Sequence, residues 1–221
     1  MSHAPPLETS IEFAGGRLNR SCHVCAFFNS AEEEDGVMLP FVRDGLARGE
    51  KAFHIIDPES REEYLRRQRE AGIDVAELEK RGQFELRGWS EAYLRGGRFD
   101  QDAMLALITE VLERGRTEGY PRTRLVAHME WALEDRPGVD DLVEYESRLN
   151  HVLPNYPDPV ICAYDTSKFG GGVILDILRT HPMVIVGGVL QENPFYVPPG
   201  EFLQELRSRD GRDNGGREGA A

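Results

Sequence analysis

Short apolar runs alternate along the chain with segments in which apolar residues recur every three or four positions. Each run is nearly continuous in apolar character, which is typical of strands that are covered on both faces of a sheet. The predicted strands are 23–28, 52–56, 84–88, 125–130, 160–164 and 183–187. Because strands that alternate with helices form parallel sheets through right-handed crossovers, we predict a three-layer α/β fold with helices on both faces of a mainly parallel sheet.

Helix signals fill the segments between these strands. Asp57, Pro58 and Glu59 combine an N-cap, a proline at the first helical position and an acid in the first turn. Asp100 caps a stronger helix, whose apolar stripe spans 104–112. The predicted helices are 37–46, 58–71, 75–80, 101–112, 139–152, 173–178 and 201–206.

The two ends of the chain differ in composition from this alternating middle. Residues 1–20 are polar and contain adjacent prolines and adjacent glycines, so we predict a flexible N-terminal arm. Residues 208–221 are rich in glycine and charge and cannot bury a core, so we predict a disordered tail. A single domain is therefore expected over 21–207. Near its end, Gly187 and Gly188 predict a hairpin that adds an antiparallel edge strand.

The junction between the first strand and the first helix lacks a phosphate-binding loop. A nucleotide-binding α/β protein places a glycine-rich loop that ends in Lys-Ser/Thr at this point. Here residues 29–36 read N-S-A-E-E-E-D-G, in which Ser30 and Glu33 fit a capping box and the successive acids repel a triphosphate. The glycines at 170–172 do not restore such a site, because Lys168 precedes them instead of following them. We predict a degenerate phosphate loop and no cofactor.

The charge balance narrows the classes of partner. The 221 residues include 26 basic and 39 acidic side chains, which gives a net charge of −13. Phosphate neutralisation dominates nucleic-acid binding, so this charge argues against nucleic acid, and equally against an anionic membrane surface. No apolar run approaches the ~20 residues of a membrane span, and the N-terminus lacks a signal-peptide pattern. Three cysteines then indicate reduced thiols in the cytoplasm, where we expect the protein to reside.

Two short motifs have alternative interpretations. Cys22 and Cys25 form a C-x-x-C pair, which in redox and zinc sites brings both sulfurs together at a turn. On a strand, positions three apart face opposite sides, so inert buried thiols are favoured over a redox or metal role. His128 and Glu130 match half of a zinc-deaminase pattern whose P-C-x-x-C half is absent. Glu130 is expected either to contact a ligand or to hold a neighbouring loop, and we predict no metal.

In parallel α/β sheets, ligands bind beyond the carboxyl ends of the strands. The residues predicted at this rim are 28–30, 57, 89–90, 130–131 and 164–167. Aromatic side chains gather there, among them Phe28, Trp131 and Tyr164, and they either line an apolar crevice for a small organic ligand or fill the ends of the sheet. Glu146 and Asn150 share one face of a predicted helix, where they form either a polar network or part of the surface.

Six segments of the chain resemble a known family. They are H-V-C-A-F-F (23–28), L-P-F-V-R-D-G-L-A-R-G-E-K (39–51), M-E-W-A-L (129–133), Y-E-S-R-L-N-H-V-L-P (145–154), D-I-L-R-T-H-P-M-V-I-V-G-G (176–188) and N-P-F-Y-V-P-P (193–199). In this order they resemble the MEDS family, the methanogen/methylotroph, DcmR sensory domain, over about residues 20–205. The resemblance implies a RecA/KaiC-like fold without the nucleotide loop and a role in sensing hydrocarbon derivatives.

The resemblance also implies partners, because family members are often fused to a helix-turn-helix or to a histidine kinase. This chain has no room for a helix-turn-helix. We therefore expect a stand-alone sensor that acts through a regulatory protein, such as a histidine kinase or a transcription factor, or through self-association into a homo-oligomer.

The expected ligand is a small organic molecule, apolar or halogenated, with Trp131 and Tyr164 as the apolar wall and Glu130 and His23 as polar contacts. The ligand-binding candidates are Phe28, Glu130, Trp131, Tyr164, His23, Cys25, Tyr145, Asn150 and His181. We predict no catalytic residue. The alternatives are a ligand-free protein-interaction module and a hydrolase that uses Glu130 with His128.

Overall fold

The computed structural model describes residues 10–19 and 23–215, with side chains up to Arg209. The strands of these ranges are β1 (Ile11–Phe13), β2 (Gly16–Leu18), β3 (His23–Phe28), β4 (Lys51–Ile56), β5 (Phe84–Gly88), β6 (Thr123–His128), β7 (Val160–Asp165), β8 (Met183–Val186) and β9 (Val189–Glu192). The α-helices are α1 (Ala31–Ala47), α2 (Arg61–Glu70), α3 (Val75–Lys80), α4 (Gln101–Thr117), α5 (Leu142–Val152), α6 (Gly171–Thr180) and α7 (Pro199–Gly215). Short 3-10 turns connect several of them, including Pro58–Ser60 after β4 and Met129–Leu133 after β6.

Seven of the described strands form one sheet in the order β5-β4-β6-β7-β3-β8-β9. Every neighbouring pair is parallel except β8 and β9, which form an antiparallel hairpin at one edge. Gly187 and Gly188 make its turn with φ of +57° and +74°, a conformation that favours glycine at both positions. The predicted α/β fold and the predicted hairpin are confirmed.

The two faces of the sheet bury separate apolar clusters. Side chains such as Val24, Ala26 and Phe28 of β3 pack against α1, α2 and α3 on one face. Cys25 and Phe27 point to the other face, which α4, α5 and α6 cover. Because consecutive residues of a strand face opposite sides, each central strand contributes to both clusters, and this double burial explains the continuous apolar runs.

Some element boundaries differ from the predicted ones. Helix α1 begins at Ala31 instead of 37, because the Ser30 side chain accepts a hydrogen bond from the Glu33 N–H at 3.2 Å and so caps an acidic first turn. Strand β6 ends at His128 instead of 130, and its apolar run continues into the 3-10 turn that contains Glu130.

Both predicted disordered ends are partly structured. Residues 10–19 are not a flexible arm, since β1 and β2 form a hairpin that buries Ile11 and Leu18 against the α1 side of the sheet. Residues 208–215 continue α7, and Arg209 binds Asp176 with an N···O distance of 2.9 Å. The rest of the predicted arm (1–9 and 20) and tail (216–221) lies outside the described residues. No helix in the described part of the chain is long and apolar enough to cross a membrane.

Candidate functional site

A cavity of about 180 Å³ lies at the carboxyl ends of β3, β4, β6 and β7, on the face covered by α1 and α2. We call it the rim cavity. Apolar surface comes from Phe28, Ile56 and Tyr64, and polar groups come from several charged side chains around them. The charged residues in its lining are Glu34, Asp57, Arg67, His128, Glu130, Asp165 and Lys168. The cavity thus has the position predicted for a ligand site, with a more polar lining than the sequence indicated.

The first turn of α1 forms one wall of the rim cavity. The Glu33 carboxylate accepts hydrogen bonds from the backbone N–H (2.9 Å) and the side-chain amide (3.2 Å) of Asn29, so it completes a variant of the predicted capping box. Ala31 and Glu34 of the same turn line the cavity. Carboxylates therefore occupy the helix N-terminus where a nucleotide-binding relative of this fold would hold phosphate.

Glu34 forms an ion pair with His128 across the rim cavity. The Glu34 Oε1 lies 2.5 Å from His128 Nε2, and the side chains are only 20% and 14% exposed. Burial acts to lower the pKa of His128, but the charge and hydrogen bond of Glu34 outweigh it and raise this pKa above its ordinary value. Burial likewise acts to raise the pKa of Glu34, and His128 holds it below its ordinary value. The pair joins α1 to the end of β6, and each partner favours the charged form of the other.

Most of the other charged groups of the rim cavity form ion pairs, whereas Asp57 accepts hydrogen bonds from the Glu59 N–H and the Ser60 hydroxyl. Arg67 of α2 binds Asp35 of α1 with an N···O distance of 2.9 Å. The Lys168 Nζ lies 3.3 Å from Asp165 and 3.8 Å from Glu130, and its side chain is half exposed. Lys168 is therefore the most accessible cation at the cavity mouth, and it lies beside two of the four carboxylates of the lining.

A second group of polar side chains is fully buried on the opposite face of the sheet. It comprises His23 of β3, Glu146 of α5, Cys162 of β7 and His181, which lies between α6 and β8; we call it the Glu146 cluster. Glu146 Oε2 lies 3.2 Å from His23 Nε2, 3.4 Å from His181 Nε2 and 3.6 Å from Cys162 Sγ. Four potential ligand atoms thus converge within 4.8 Å of one another.

An outer layer of hydrogen bonds holds this cluster in place. Tyr164 donates to Glu146 Oε1 at 2.7 Å, which leaves Oε2 to face the centre. Asn150 Oδ1 lies 3.0 Å from His23 Nδ1, and Asn150 is itself fixed by its donation to the Thr180 carbonyl at 2.7 Å.

The cluster perturbs the titration of its own members. Burial and the neighbouring His181 lower the pKa of His23. Burial acts to raise the pKa of Glu146, but the contacts with His181 and His23 hold it well below its usual range. Burial and then the Glu146 charge raise the pKa of the Cys162 thiol well above its ordinary value. These contacts thus favour the charged form of Glu146 and the neutral form of Cys162.

The predicted site residues do not form one site. Phe28 and Glu130 line the rim cavity, as expected of the rim. His23, Asn150 and His181 instead belong to the Glu146 cluster and its outer layer, because β3 begins far from the rim. Tyr164 touches both, since it borders the rim cavity while its hydroxyl binds Glu146.

Three other predictions need correction. Trp131 does not form a wall of the rim cavity: it is fully buried and stacked on the Tyr93 ring at 4.5 Å, because the chain turns inward after β6. Tyr145 lies in the same aromatic core, 5.3 Å from the Phe99 ring. Cys25 is buried beside the Glu146 cluster and donates to the Met183 carbonyl at 3.7 Å, outside the convergent set. Its C-x-x-C partner Cys22 lies outside the described residues.

Sequence reasoning missed several residues of both sites. Glu34 was interpreted only as part of an acidic helix start, although its spacing from Ser30 places it one turn into α1. The sequence does not distinguish Arg67 as a site residue, because it is one of several charged residues in α2. The sequence places Glu146 on one helix face with Asn150, as a polar network or as surface, and the structure shows that Glu146 is fully buried. Cys162 is an isolated cysteine in the sequence, and only the pairing of β7 with β3 brings it to His23.

Comparisons with known proteins agree with this architecture. The chain is similar to a KaiC-like protein of Pyrococcus horikoshii OT3, with a TM-score of 0.54 and 18% sequence identity over 74% of this chain and 70% of that one. This likeness shows the RecA/KaiC-like fold. The chain is also 28% identical over 171 residues to the transcriptional repressor DcmR of Methylorubrum extorquens, which covers 77% of this chain and 62% of the repressor. It thus spans about three-fifths of the length of that relative.

The family comparison covers most of the described chain. A family model described as the MEthanogen/methylotroph, DcmR Sensory domain (MEDS) matches residues 22–182. The matched range contains the rim cavity lining and all four members of the Glu146 cluster. The chain therefore belongs to the MEDS family of sensory domains.

Proposed function

We propose that this domain binds a small organic molecule in the rim cavity and reports its presence to a regulatory protein. The observation that supports this proposal is the cavity itself, which lies beyond the carboxyl ends of four parallel strands and combines apolar and charged walls. Pockets for drug-sized ligands are about 300–1,000 Å³. A cavity of about 180 Å³ therefore suits a smaller compound, such as a halogenated or hydroxylated hydrocarbon derivative.

The charges of the rim cavity argue against a nucleotide. Glu34 lies in the first turn of α1, and Asp57, Glu130 and Asp165 add further carboxylates around the opening. A triphosphate placed there would lose its hydration and meet like charges at short range. A neutral molecule with one polar group avoids this repulsion, because it contacts Phe28 and Ile56 on one side and a hydrogen-bonding group on the other.

Ligand binding at this position acts on contacts between separate elements. The Glu34–His128 pair joins α1 to β6, and the Arg67–Asp35 pair joins α2 to α1. A ligand that hydrogen-bonds to any of these groups changes how α1 and α2 are held against the sheet. The change reaches a partner only in proportion to the ligand's preference for one arrangement. We infer that the partner is a transcription factor or a histidine kinase that contacts this face.

A thermal-shift screen with a matched pair of variants tests the proposal. Ala31 and Ala47 are the first and last residues of α1 and both are exposed, but only Ala31 lines the rim cavity. A panel of small halogenated, methylated and hydroxylated compounds is expected to raise the unfolding temperature of the wild type, whereas ATP is not. Ala31→Leu should abolish the shift by filling the cavity mouth, and Ala47→Leu should retain it.

Two outcomes would overturn the proposal in different ways. If no compound stabilises the wild type and Ala31→Leu leaves partner binding intact, the domain is a ligand-free interaction module. If a compound is consumed during incubation and Glu130→Gln stops its turnover, the domain is a hydrolase. The sensory description of the family favours binding over either outcome.

A further inference from the structure

We propose that the Glu146 cluster binds a divalent transition-metal ion of the zinc class through His23, Glu146, Cys162 and His181. The site is separate from the rim cavity, on the other face of the sheet, and the inference does not depend on the ligand proposed above. Imidazole, carboxylate and thiolate together are ligands that zinc takes in proteins.

The spacing of the ligand atoms fits a tetrahedral ion. With ligand bonds of about 2.0–2.3 Å at tetrahedral angles, neighbouring ligand atoms lie about 3.3–3.6 Å apart. In the cluster, Glu146 Oε2 is 3.2, 3.4 and 3.6 Å from the other three ligand atoms, and Cys162 Sγ is 3.7 Å from His23 Nε2. All four ligand atoms lie within 4.8 Å of one another, so an ion at the centre requires the more distant pairs to move closer together.

The outer contacts of His181 direct a lone pair into this centre. Its Nδ1 lies 2.9 Å from the Ile177 carbonyl oxygen and 2.9 Å from the Thr180 hydroxyl oxygen. The Thr180 hydroxyl donates its own proton to the Ile177 carbonyl at 2.8 Å, so both oxygens accept from Nδ1, which holds the ring proton. The Nε2 atom is then unprotonated, and it has no hydrogen-bond partner although it is buried. A metal-bound histidine usually donates its other N–H to a carbonyl or carboxylate in this way.

A hydrogen bond from its Nδ1 orients His23 in the same way. The Asn150 amide nitrogen donates to three carbonyl oxygens, of Thr180, Glu146 and Ser147, which fixes Asn150 Oδ1 as the group that faces His23. His23 Nδ1 therefore donates to Asn150 Oδ1 at 3.0 Å, and its Nε2 presents a lone pair to Glu146 Oε2. Two nitrogen lone pairs and a carboxylate oxygen that face one another repel unless a cation or a proton lies between them.

The charges of the four ligands also match a divalent cation. A dication with the Glu146 carboxylate, the Cys162 thiolate and two neutral imidazoles forms a neutral set, with the thiol proton released to solvent. Without an ion, the described residues give the Glu146 carboxylate two side-chain donors, the Tyr164 hydroxyl and the Cys162 thiol, while the two imidazoles face it with unprotonated nitrogens. Isolated buried charge is strongly unfavourable, whereas a neutral metal site is not. Four protein ligands leave no open position, so the site is expected to be structural, joining β3, α5, β7 and the α6–β8 connection.

Metal loading of the full chain tests the inference directly. The protein is stripped with a chelator, dialysed against Zn²⁺ or Co²⁺, and analysed for metal content. We expect close to equimolar zinc, a higher unfolding temperature with Zn²⁺ than with Mg²⁺, and for Co²⁺ the ligand-field bands of a tetrahedral ion with a thiolate-to-cobalt charge-transfer band. Substoichiometric metal, or a cobalt spectrum without the charge-transfer band, would overturn the proposal without recourse to any variant.

Two cysteine variants assign the site. Cys162 and Cys25 are register partners on adjacent strands, both buried and both free, but only Cys162 belongs to the cluster. Cys162→Ser should abolish the charge-transfer band and weaken zinc binding at least ~10-fold, the scale on which even outer contacts matter. Cys25→Ser should retain the charge-transfer band and the wild-type affinity for zinc. Equal losses in the two variants would show that the effect is one of packing and would refute the assignment.

Discussion

The ion pair between Glu34 and His128 makes stability depend on pH in a defined window. Replacing His128 with Gln keeps a hydrogen-bonding side chain but removes the positive charge. Since the two side chains are only 20% and 14% exposed, water screens the pair weakly. A hydrogen bond to a charged group contributes about 1.5–3 kcal/mol, against about 0.5–1.5 kcal/mol for a neutral one. We therefore expect His128→Gln to lower the free energy of unfolding by about 1–2 kcal/mol near pH 6.

The sign of the pH dependence follows from the two pKa directions. The pKa of His128 is raised above its ordinary 6.5, so its contribution is complete below that pH and is lost as the pH rises through the folded-state value. The pKa of Glu34 is lowered from 4.5, so its contribution is present above that pH and is lost as the pH falls through the folded-state value. Glu130 supports the charge on His128 and Arg67 opposes it. The difference between wild type and variant should thus be largest between about pH 4.5 and 6.5.

Urea denaturation of four proteins measures this effect. The wild type, Glu34→Gln, His128→Gln and the double variant are unfolded at matched pH values from acid to alkaline. The coupling energy from the double-mutant cycle should shrink as the pH rises through the folded-state pKa of His128, where the imidazole loses its charge. Burial and the nearby His128 lower the pKa of His54 to about 3, so proton uptake by His54 in the unfolded state also makes stability depend on pH below 6.5. His54 is present in all four proteins, so this contribution largely cancels in the coupling energy. A coupling energy that is independent of pH, or near zero at pH 6, would refute the reasoning.

Two further predictions concern packing. Trp131→Ala should lower the free energy of unfolding by about 3–5 kcal/mol, because the fully buried indole stacks on Tyr93, and it should leave ligand binding in the rim cavity unchanged because Trp131 does not line it. Urea denaturation and the thermal-shift screen check the two halves. Gly45→Ala, which helix propensity alone would make stabilising by about 1 kcal/mol, should instead destabilise by about 1–3 kcal/mol. A Cβ at Gly45 would lie 2.4 Å from the Nε atom of Arg124, which packs against α1 from β6. Gly36→Ala in the same helix is the control, because Gly36 is exposed and its new Cβ would have no atom within 4 Å.

The central strands β3, β4, β6 and β7 were predictable because they are buried on both faces and are therefore mostly apolar. The same rule misplaced the end of β6, since Met129 and Trp131 continue the apolar run although the backbone turns into a 3-10 helix. The β1–β2 hairpin was missed for the opposite reason: only Ile11 and Leu18 of this polar segment are buried hydrophobic residues. Periodicity reports burial, so it fails where a turn is buried or where a strand is mostly exposed.

The sites were less predictable than the fold because they depend on register between distant strands. His23, Cys25 and Phe27 of β3 stand beside Val160, Cys162 and Tyr164 of β7. This register brings the Cys162 Sγ to 3.7 Å from the His23 Nε2, and no local pattern in the sequence specifies the register. Glu146 was identified as polar on a helical face, but whether that face was core or surface depended on how α5 packs on the sheet.

The alternation of side chains along β3 and β7 explains why one sheet serves two kinds of site. His23, Cys162 and Tyr164 point to the α5 face, where burial removes water and leaves a few polar atoms to satisfy one another. Phe28 and Ala163 point to the α1 face, where the strands end and the chain leaves the core. A phosphate loop would have filled that second space with backbone and nucleotide. With Glu34 in its place, the same end of the sheet keeps a small polar cavity lined by carboxylates, on a fold that this chain shares with a KaiC-like protein.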